Sequence, residues 1–426
     1  MSRDPVEVSL LPDDVESAAA ARARGEDFGM SASESGPAAN GPLSGLRVVE
    51  IGQYIAGPYA AKLLADMGAD VVKVESPAGD PMRRWEGTGS GYSPQFAAYN
   101  RNKDGVVLDL KSAAGLDALL GLAAGADVLI ENFRPGVARR LGFGADVVAQ
   151  RNPRLVYCSI TGFGADGPYA TRPAYDSVIS AVGGMYSQVI PADALRPAGP
   201  AFSDLLAGMS AVQAVLAAVH ARHVTGSGQH VEVSMVGAVL DFLTESASTY
   251  LQTGATAGPD TRPRRAQAYA CVGSDGLAFV VHMSVPEKFW TGLLDVIDRA
   301  DLAQDPRFAT REGRVAHYDE LDEILKRETA RRPREHWLRE LAAHDIPHGP
   351  LNRVADLFAD PQVAAMDLVT TAPDAAGDEV RMPRHSTVFN GSGRPAYRMA
   401  PLLGADTERL LEQQQLSFDD EEVTAS

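Results

Sequence analysis

From residue 42 onward, short apolar runs alternate with longer segments of helical period. The run "LRVVEI" at 46–51 has the length and β-branched content of a buried strand. It is followed by "GQYIAGPYAAKLLADMGADVVKVE", which reads as a turn, a helix and a second strand at 71–74. Strand, helix and strand within about 30 residues make a βαβ unit. The alternation continues with a strand at 106–110, a helix at 113–124 and strands at 128–130 and 155–160. Such runs, joined by helices, predict an α/β fold with a parallel sheet covered on both faces. Next comes "LLAGMSAVQAVLAAV" at 205–219, a buried helix of small residues, then a turn, a short strand and a helix in "TGSGQHVEVSMVGAVLDFLTESA". After Gly254 the pattern changes. "RPRRAQAYACVGSDGLAFVVHMS" reads as a hairpin turning at "SDG", and two or three helices follow it. The organisation expected is a large unit from 42–230 and 345–405, a linker helix at 231–254, and a small α+β unit at 255–344.

Composition adds limits. The chain has 426 residues, 45% hydrophobic and 22% charged, as in ordinary globular proteins. Its net charge of -17 argues against nucleic acid as a partner. Much of that charge sits at the ends, with eight acids against three bases in residues 1–42 and Asp419, Asp420, Glu421 and Glu422 near the C-terminus. Residues 1–41 are expected to be a disordered acidic tail, and 406–426 a second, solvated one. Two cysteines, Cys158 and Cys271, make neither a disulfide framework nor a cysteine-based metal site. No secretory h-region opens the chain, and the stretch at 205–219 is too short to span a bilayer. The expectation is a cytoplasmic protein with no membrane partner and no metal.

Candidate chemistry collects at the ends of the predicted strands. "EIGQYIAGPYAA" lies between a strand and a helix, where an open α/β sheet holds nucleotides or phosphates. It lacks a G-x-G-x-x-G fingerprint, since Gly52 and Gly57 are five apart, and it has no Walker lysine. "FAAYNRNKDGVVLDL" sets Arg101 and Lys103 before a strand, as a solvated turn or a phosphate contact. In "ENFRPGVARRLGFG", Pro135 suits a first helical turn, Arg134 stands at its entrance, and Arg139 and Arg140 follow. The long loop "SITGFGADGPYATRPAYD" ends on Asp176, which is placed to cap a helix. Asp204, between Phe202 and Leu205, has two readings. Ser203 or Asp204 caps the helix. Alternatively, the helix N-terminus keeps a partly buried carboxylate ionised, and such a carboxylate is a nucleophile.

Taken in order, the blocks "PLSGLRVVEIGQYIAGPYAAKLLADMGADVVKVESPAGDPMR", "NRNKDGVVLDLK", "ADVLIENFRPGVARRLGFG", "NPRLVYCSITGFGADGPYATRPAYD" and "TGSGQHVEVSM" resemble the family III CoA-transferases (the CaiB/BaiF group), over roughly 42–403. The resemblance implies a Rossmann-like large domain, a smaller domain and an interlocked homodimer. It implies coenzyme A or acyl-CoA as a substrate, a small carboxylic acid as acceptor, and no tightly bound cofactor. Asp204 falls on the family's nucleophile, which passes through an acyl anhydride and an aspartyl-CoA thioester, with backbone N–H groups near the helix start on the oxyanions. Residues 53–56 (Gln53, Tyr54, Ile55, Ala56) are expected near the adenine or pantetheine. Arg101, Lys103 and Arg134 are expected near the phosphates, with Asn132 and Arg139 also toward CoA. Gly57, Tyr175 and Asp176 are expected near the substrate.

The resemblance includes a racemase that uses a His before the Asp of this loop. Here that position is Tyr175, a poor base at neutral pH. Epimerisation and silent CoA binding stay as alternatives, and a Rossmann oxidoreductase would need the missing glycine fingerprint. The chain also departs from the family at Asp104, where many members have Arg, and after Glu75, where a basic residue is absent. In place of a glycine-rich covering loop it has the basic Arg262, Arg264 and Arg265, directed at an acidic group or at solvent.

Overall fold

The computed structural model describes residues 41–86, 93–389 and 397–413. Strands β1 (Arg47–Glu50), β2 (Asp70–Glu75), β3 (Lys103–Val107), β4 (Val128–Glu131), β5 (Val156–Thr161) and β6 (His230–Ser234) form one sheet in the order β3-β2-β1-β4-β5-β6. Every pair is parallel. The pleat sorts continuous apolar runs onto two faces. Val48, Val128, Ile130, Val156, Cys158 and Ile160 point to one side. There they meet helices α1 (Ala56–Asp66) and α8 (Phe202–Thr225). Val49, Val74, Val106, Leu129 and Tyr157 point to the other side, against α3 (Ala113–Ala124) and α5 (Ala145–Arg151). Between them lie α2 (Pro94–Asn100) and α4 (Val137–Leu141), and α6 (Asp176–Val182) and α7 (Met185–Val189) precede α8.

The edge strand β3 begins three residues earlier than its apolar run suggested, at Lys103, because Lys103 is buried in an ion-pair network instead of lying in a solvated turn. Helix α8 spans 24 residues, from Phe202 to a left-handed Gly226. Its length and mean hydropathy of 1.6 would suffice to cross a membrane, unlike the shorter stretch at 205–219 read from the sequence. The helix nevertheless packs in the protein core through Ala207, Ala211, Val215 and Ala218. Gly208 is required there, since a Cβ would come within 2.8 Å of the Tyr59 ring and 3.0 Å of the Ala56 carbonyl oxygen on α1.

The linker expected at 231–254 begins inside β6, and only α9 (Met235–Phe242) and α10 (Thr244–Thr253) belong to it. In the small unit, β7 (Ala268–Val272) and β8 (Ala278–His282) form the predicted hairpin, with Gly276 at φ 75° in its turn. A third strand, β9 (His348–Pro350), pairs with β8, so this unit runs past 344. Helices Glu287–Val296, Tyr318–Thr329 and Arg334–Ala343 pack with this sheet around Tyr269, Phe279, Trp290, Leu321 and Trp337. β10 (Val369–Pro373) and β11 (Glu379–Pro383) form a separate hairpin.

Residues 406–411 are not a solvated tail. Asp406 and Thr407 accept hydrogen bonds from the β3 amides of Gly105 and Val107 at 2.9 and 3.0 Å, covering the open sheet edge. Leu410 and Leu411 pack on the α3 side of the sheet. Asp104 takes part in the same closure through Arg398 (2.8 Å) and Arg409 (3.1 Å). The expected tails at 1–40 and 414–426 lie outside the described residues.

Candidate active site

In a parallel sheet the loops after the strands converge at one end. The first follows β1. Glu50, fully buried, accepts from the Gly52 amide at 2.5 Å and sits 3.0 Å from Lys103 Nζ and 3.4 Å from Lys73 Nζ. Lys73 also donates to the Gly52 carbonyl at 3.0 Å. Tyr54 is held at φ 63°, a conformation uncommon for a bulky side chain, with its N–H donating to Asp80 at 3.2 Å. The Asn132 side chain clamps this loop to the next. Its Oδ1 accepts from the Gln53 amide, and its Nδ2 donates to the Gln53 carbonyl, both at 2.9 Å.

The second loop, after β4, carries Arg134, which is exposed and has no ion-pair partner among the described residues. The third, after β5, runs to Tyr175 at the start of α6. The Tyr175 ring meets Tyr54 edge-on at 5.9 Å, and Tyr54 lies 6.3 Å from Trp85. The fourth component is the first turn of α8. Neither Ser203 nor Asp204 is its N-cap. That position is Ala201, with no side-chain capping bond. Asp176 does the capping from the neighbouring helix. Its Oδ1 accepts from the Ser203 amide at 2.8 Å and the Ser203 hydroxyl at 2.9 Å.

Asp204 is therefore free of a capping role. Burial, and next the charge of Asp176, push its carboxyl up to about 7. The expectation that the helix terminus simply keeps it ionised is corrected: desolvation wins. The first-turn amides of Phe202, Ser203 and Leu205 are also engaged, with Pro200, Asp176 and Ala201.

These parts enclose a cavity of about 490 Å³. Residues 53–56, Asn132, Arg134, Tyr175, Asp176 and Asp204 all line it. Trp85, Thr161, Arg172 and Met235, none of them expected there from the sequence, also line it. Arg172 lay in the quoted "GPYATRPAYD" loop, and its place after β5 was the available signal. A groove of about 730 Å³ adjoins the cavity and shares Phe133, Arg134, Pro135 and Thr161 with it. Arg139 lines the groove. There, too, Ser159 Oγ lies 3.0 Å from His230 Nε2.

Three expected site residues are elsewhere. Arg101 is buried. It grips Asp66 through two bonds of 3.0 and 2.7 Å, donates to the Pro383 carbonyl and stacks on Tyr397. Lys103 is fully buried between Glu50, Asn100 and the Pro58 carbonyl, and burial lowers its ammonium pKa to about 8. Neither has a charge left over for a phosphate. Gly57 lines no part of the cavity. It lets α1 approach Asn132, whose Cγ would lie 3.3 Å from an added Cβ. The basic segment is also consumed locally: Arg262 and Arg265 pair with Glu245, and Arg264 with Asp260 and Asp319.

Among the described residues no group of three or more His, Cys, Asp or Glu is arranged to hold a metal. The family described as CoA-transferase family III matches residues 43–407. The chain is 34% identical to the acetyl-CoA:oxalate CoA-transferase of Acetobacter aceti, over 84% of this chain and 92% of that one. It is 33% identical to the succinate–glutarate CoA-transferase of Agrobacterium fabrum, over 87% and 95% respectively. Among solved structures, a CaiB/BaiF family protein from Brucella suis superposes with a TM-score of 0.78 at 34% identity, covering 88% of this chain and all of that one.

Proposed function

Because the chain belongs to CoA-transferase family III, we propose that it moves CoA from an acyl-CoA donor to a small carboxylic acid, with Asp204 as the nucleophile. The observation that carries this reading is Asp204 itself: a carboxylate in the first turn of α8, opening on the cavity, with no capping bond.

In the reaction, an Asp204 oxygen attacks the donor thioester carbonyl. The C–S bond breaks, CoA leaves as thiolate, and a mixed anhydride remains. The thiolate then attacks the aspartyl carbonyl, releasing the donor acid as carboxylate and leaving an aspartyl-CoA thioester. The acceptor carboxylate reverses the sequence: it displaces thiolate to form a new anhydride, and thiolate attacks the acceptor's carbonyl. Acyl-CoA departs and Asp204 is restored as a carboxylate. No net proton is exchanged, but Asp204 must start ionised, so its elevated pKa makes the rate rise with pH through about 7.

The rest of the site has parts to match. Arg134, at the junction of cavity and groove, suits the CoA phosphates, with Arg139 further along the groove. The loop at 53–56 and Asn132 border the pantetheine path. The amides of Ile55 and Ala56, at the start of α1, replace the engaged α8 amides as oxyanion donors. CoA enters as a substrate, with no resident cofactor, and the proposed compartment is the cytoplasm. A homodimer is proposed as the working unit. Helix α10 has no buried residue within one chain, and Leu240, Phe242, Tyr250 and Leu251 are each more than half exposed on α9 and α10. Light scattering tests that state.

The test of the chemistry is trapping. Incubation with an acyl-CoA donor and hydroxylamine should convert Asp204 to a hydroxamate found by peptide mapping. An enzyme that transfers CoA with no mark on Asp204 refutes the mechanism.

A further inference from the structure

The cavity holds a second cation besides Arg134, and its surroundings differ from those of the other basic residues near the sheet. Lys73, Lys103 and Arg101 are each buried against a carboxylate. Arg134 lines both the cavity and the groove. Arg172 lines the cavity alone. Its guanidinium lies 3.6 Å from the Tyr169 ring centre, and Tyr169 in turn meets Phe163 edge-on at 5.5 Å. The Arg172 amide donates to the Tyr169 carbonyl at 2.9 Å, so stacking and turn share one rigid corner. Among the described residues no carboxylate lies in ion-pair range of Arg172. A stacked guanidinium keeps its in-plane N–H donors free for a bidentate carboxylate.

Its neighbours in the cavity are acidic. Asp176 and Asp204 line the same space, and Asp176 is already bound to Ser203. A second carboxylate on a substrate entering here meets a negative field and loses water, so it needs a fixed cation. We propose that Arg172 is the specificity-determining residue that binds the remote carboxylate of a short dicarboxylic acid, while the other carboxylate faces Asp204. This rests on the transferase reading above and names its substrate class. Arg172 takes no part in bond making. It orients one class of acid against another.

The experiment compares matched acceptors of equal carbon number, succinate against butanoate and glutarate against pentanoate, with a fixed acyl-CoA donor. The wild type should favour the diacids. In Arg172→Gln the diacid-to-monoacid ratio of kcat/KM should fall about 10- to 100-fold, chiefly through KM for the diacid. Arg172→Lys should restore part of it. Arg172 is exposed, so the variants should keep the wild-type melting temperature. CoA affinity by calorimetry separates the two anionic moieties: it should be unchanged if Arg172 serves the acid. A weakened CoA affinity with an unaltered ratio would assign Arg172 to phosphate and overturn the proposal, as would a wild type that prefers monoacids. If the wild type transfers CoA to no acid of either class, the transferase reading itself fails.

Discussion

Replacing Asp204 with Asn should abolish transfer and yet stabilise the protein at alkaline pH. The Asp204 carboxyl has a pKa of about 7 in the fold, against 3.8 for the unperturbed group. Below pH 3.8 the group is protonated folded and unfolded, and contributes nothing. Between 3.8 and about 7 the unfolded chain releases its proton while the folded chain keeps it. Stability therefore falls as pH rises, and the loss is complete above about 7. The rise from 3.8 to about 7, at 1.36 kcal/mol per pH unit, sets a ceiling of about 4 kcal/mol. Asp204 keeps partial solvent contact, so the realised cost should be about 2–4 kcal/mol. Asn is neutral and nearly isosteric, so it escapes this cost. It loses no capping bond either, because Asp176 caps α8. Urea unfolding followed by circular dichroism, at pH 4.5 and pH 8 and one protein concentration, should show a difference of about 1 kcal/mol or less at the lower pH. At pH 8 the variant should be the more stable. Transfer and hydroxamate trapping should both vanish. An Asn variant that is less stable at pH 8, or that retains activity, refutes the placement of a costly, reactive carboxylate at this turn.

Other outcomes follow from the same geometry. Asp176→Asn still accepts from the Ser203 amide but removes a charge that raises Asp204, so the rising limb of the kcat/KM–pH profile should move to lower pH; an unmoved limb removes that coupling. Arg134→Ala should weaken CoA binding by about 1–3 kcal/mol in calorimetry, and unchanged affinity would take Arg134 out of the site. Glu50→Gln leaves Lys73 and Lys103 buried with one fewer counter-charge, and should cost about 3–5 kcal/mol in denaturant unfolding. A loss under 1 kcal/mol would show that Asp80 and the carbonyls of Gly52 and Pro58 suffice.

Most of the sheet could be read from the sequence because its strands are apolar on both faces, and the pleat itself decides which side Val48 and Val49 take. The meeting of these loops was legible for a related reason. A parallel sheet brings the segments after β1, β4 and β5 to one end, and Gln53, Asn132 and Tyr175, expected there from the family resemblance, line one cavity. The α8 turn joins them through the bond from Ser203 to Asp176. Charge was not legible in this way, because the partner of an ion is set by long-range packing. Lys103 looks solvated in "NRNKDG", but its counter-ion, Glu50, is 53 positions away. Arg101 is satisfied by Asp66, 35 positions away, and Asp104 by a C-terminal segment that read as tail. Conversely, Arg172 sits in a loop dense with glycine and proline, and nothing local distinguishes it from a surface residue. Its significance is that, among the described residues, no carboxylate pairs with it. A cation near a strand end is evidence for an anionic ligand only after its intramolecular partners have been counted. That count takes Arg101 and Lys103 off the expected phosphate contacts, keeps Arg134 as the proposed one, and leaves Arg172 available for the proposed acid.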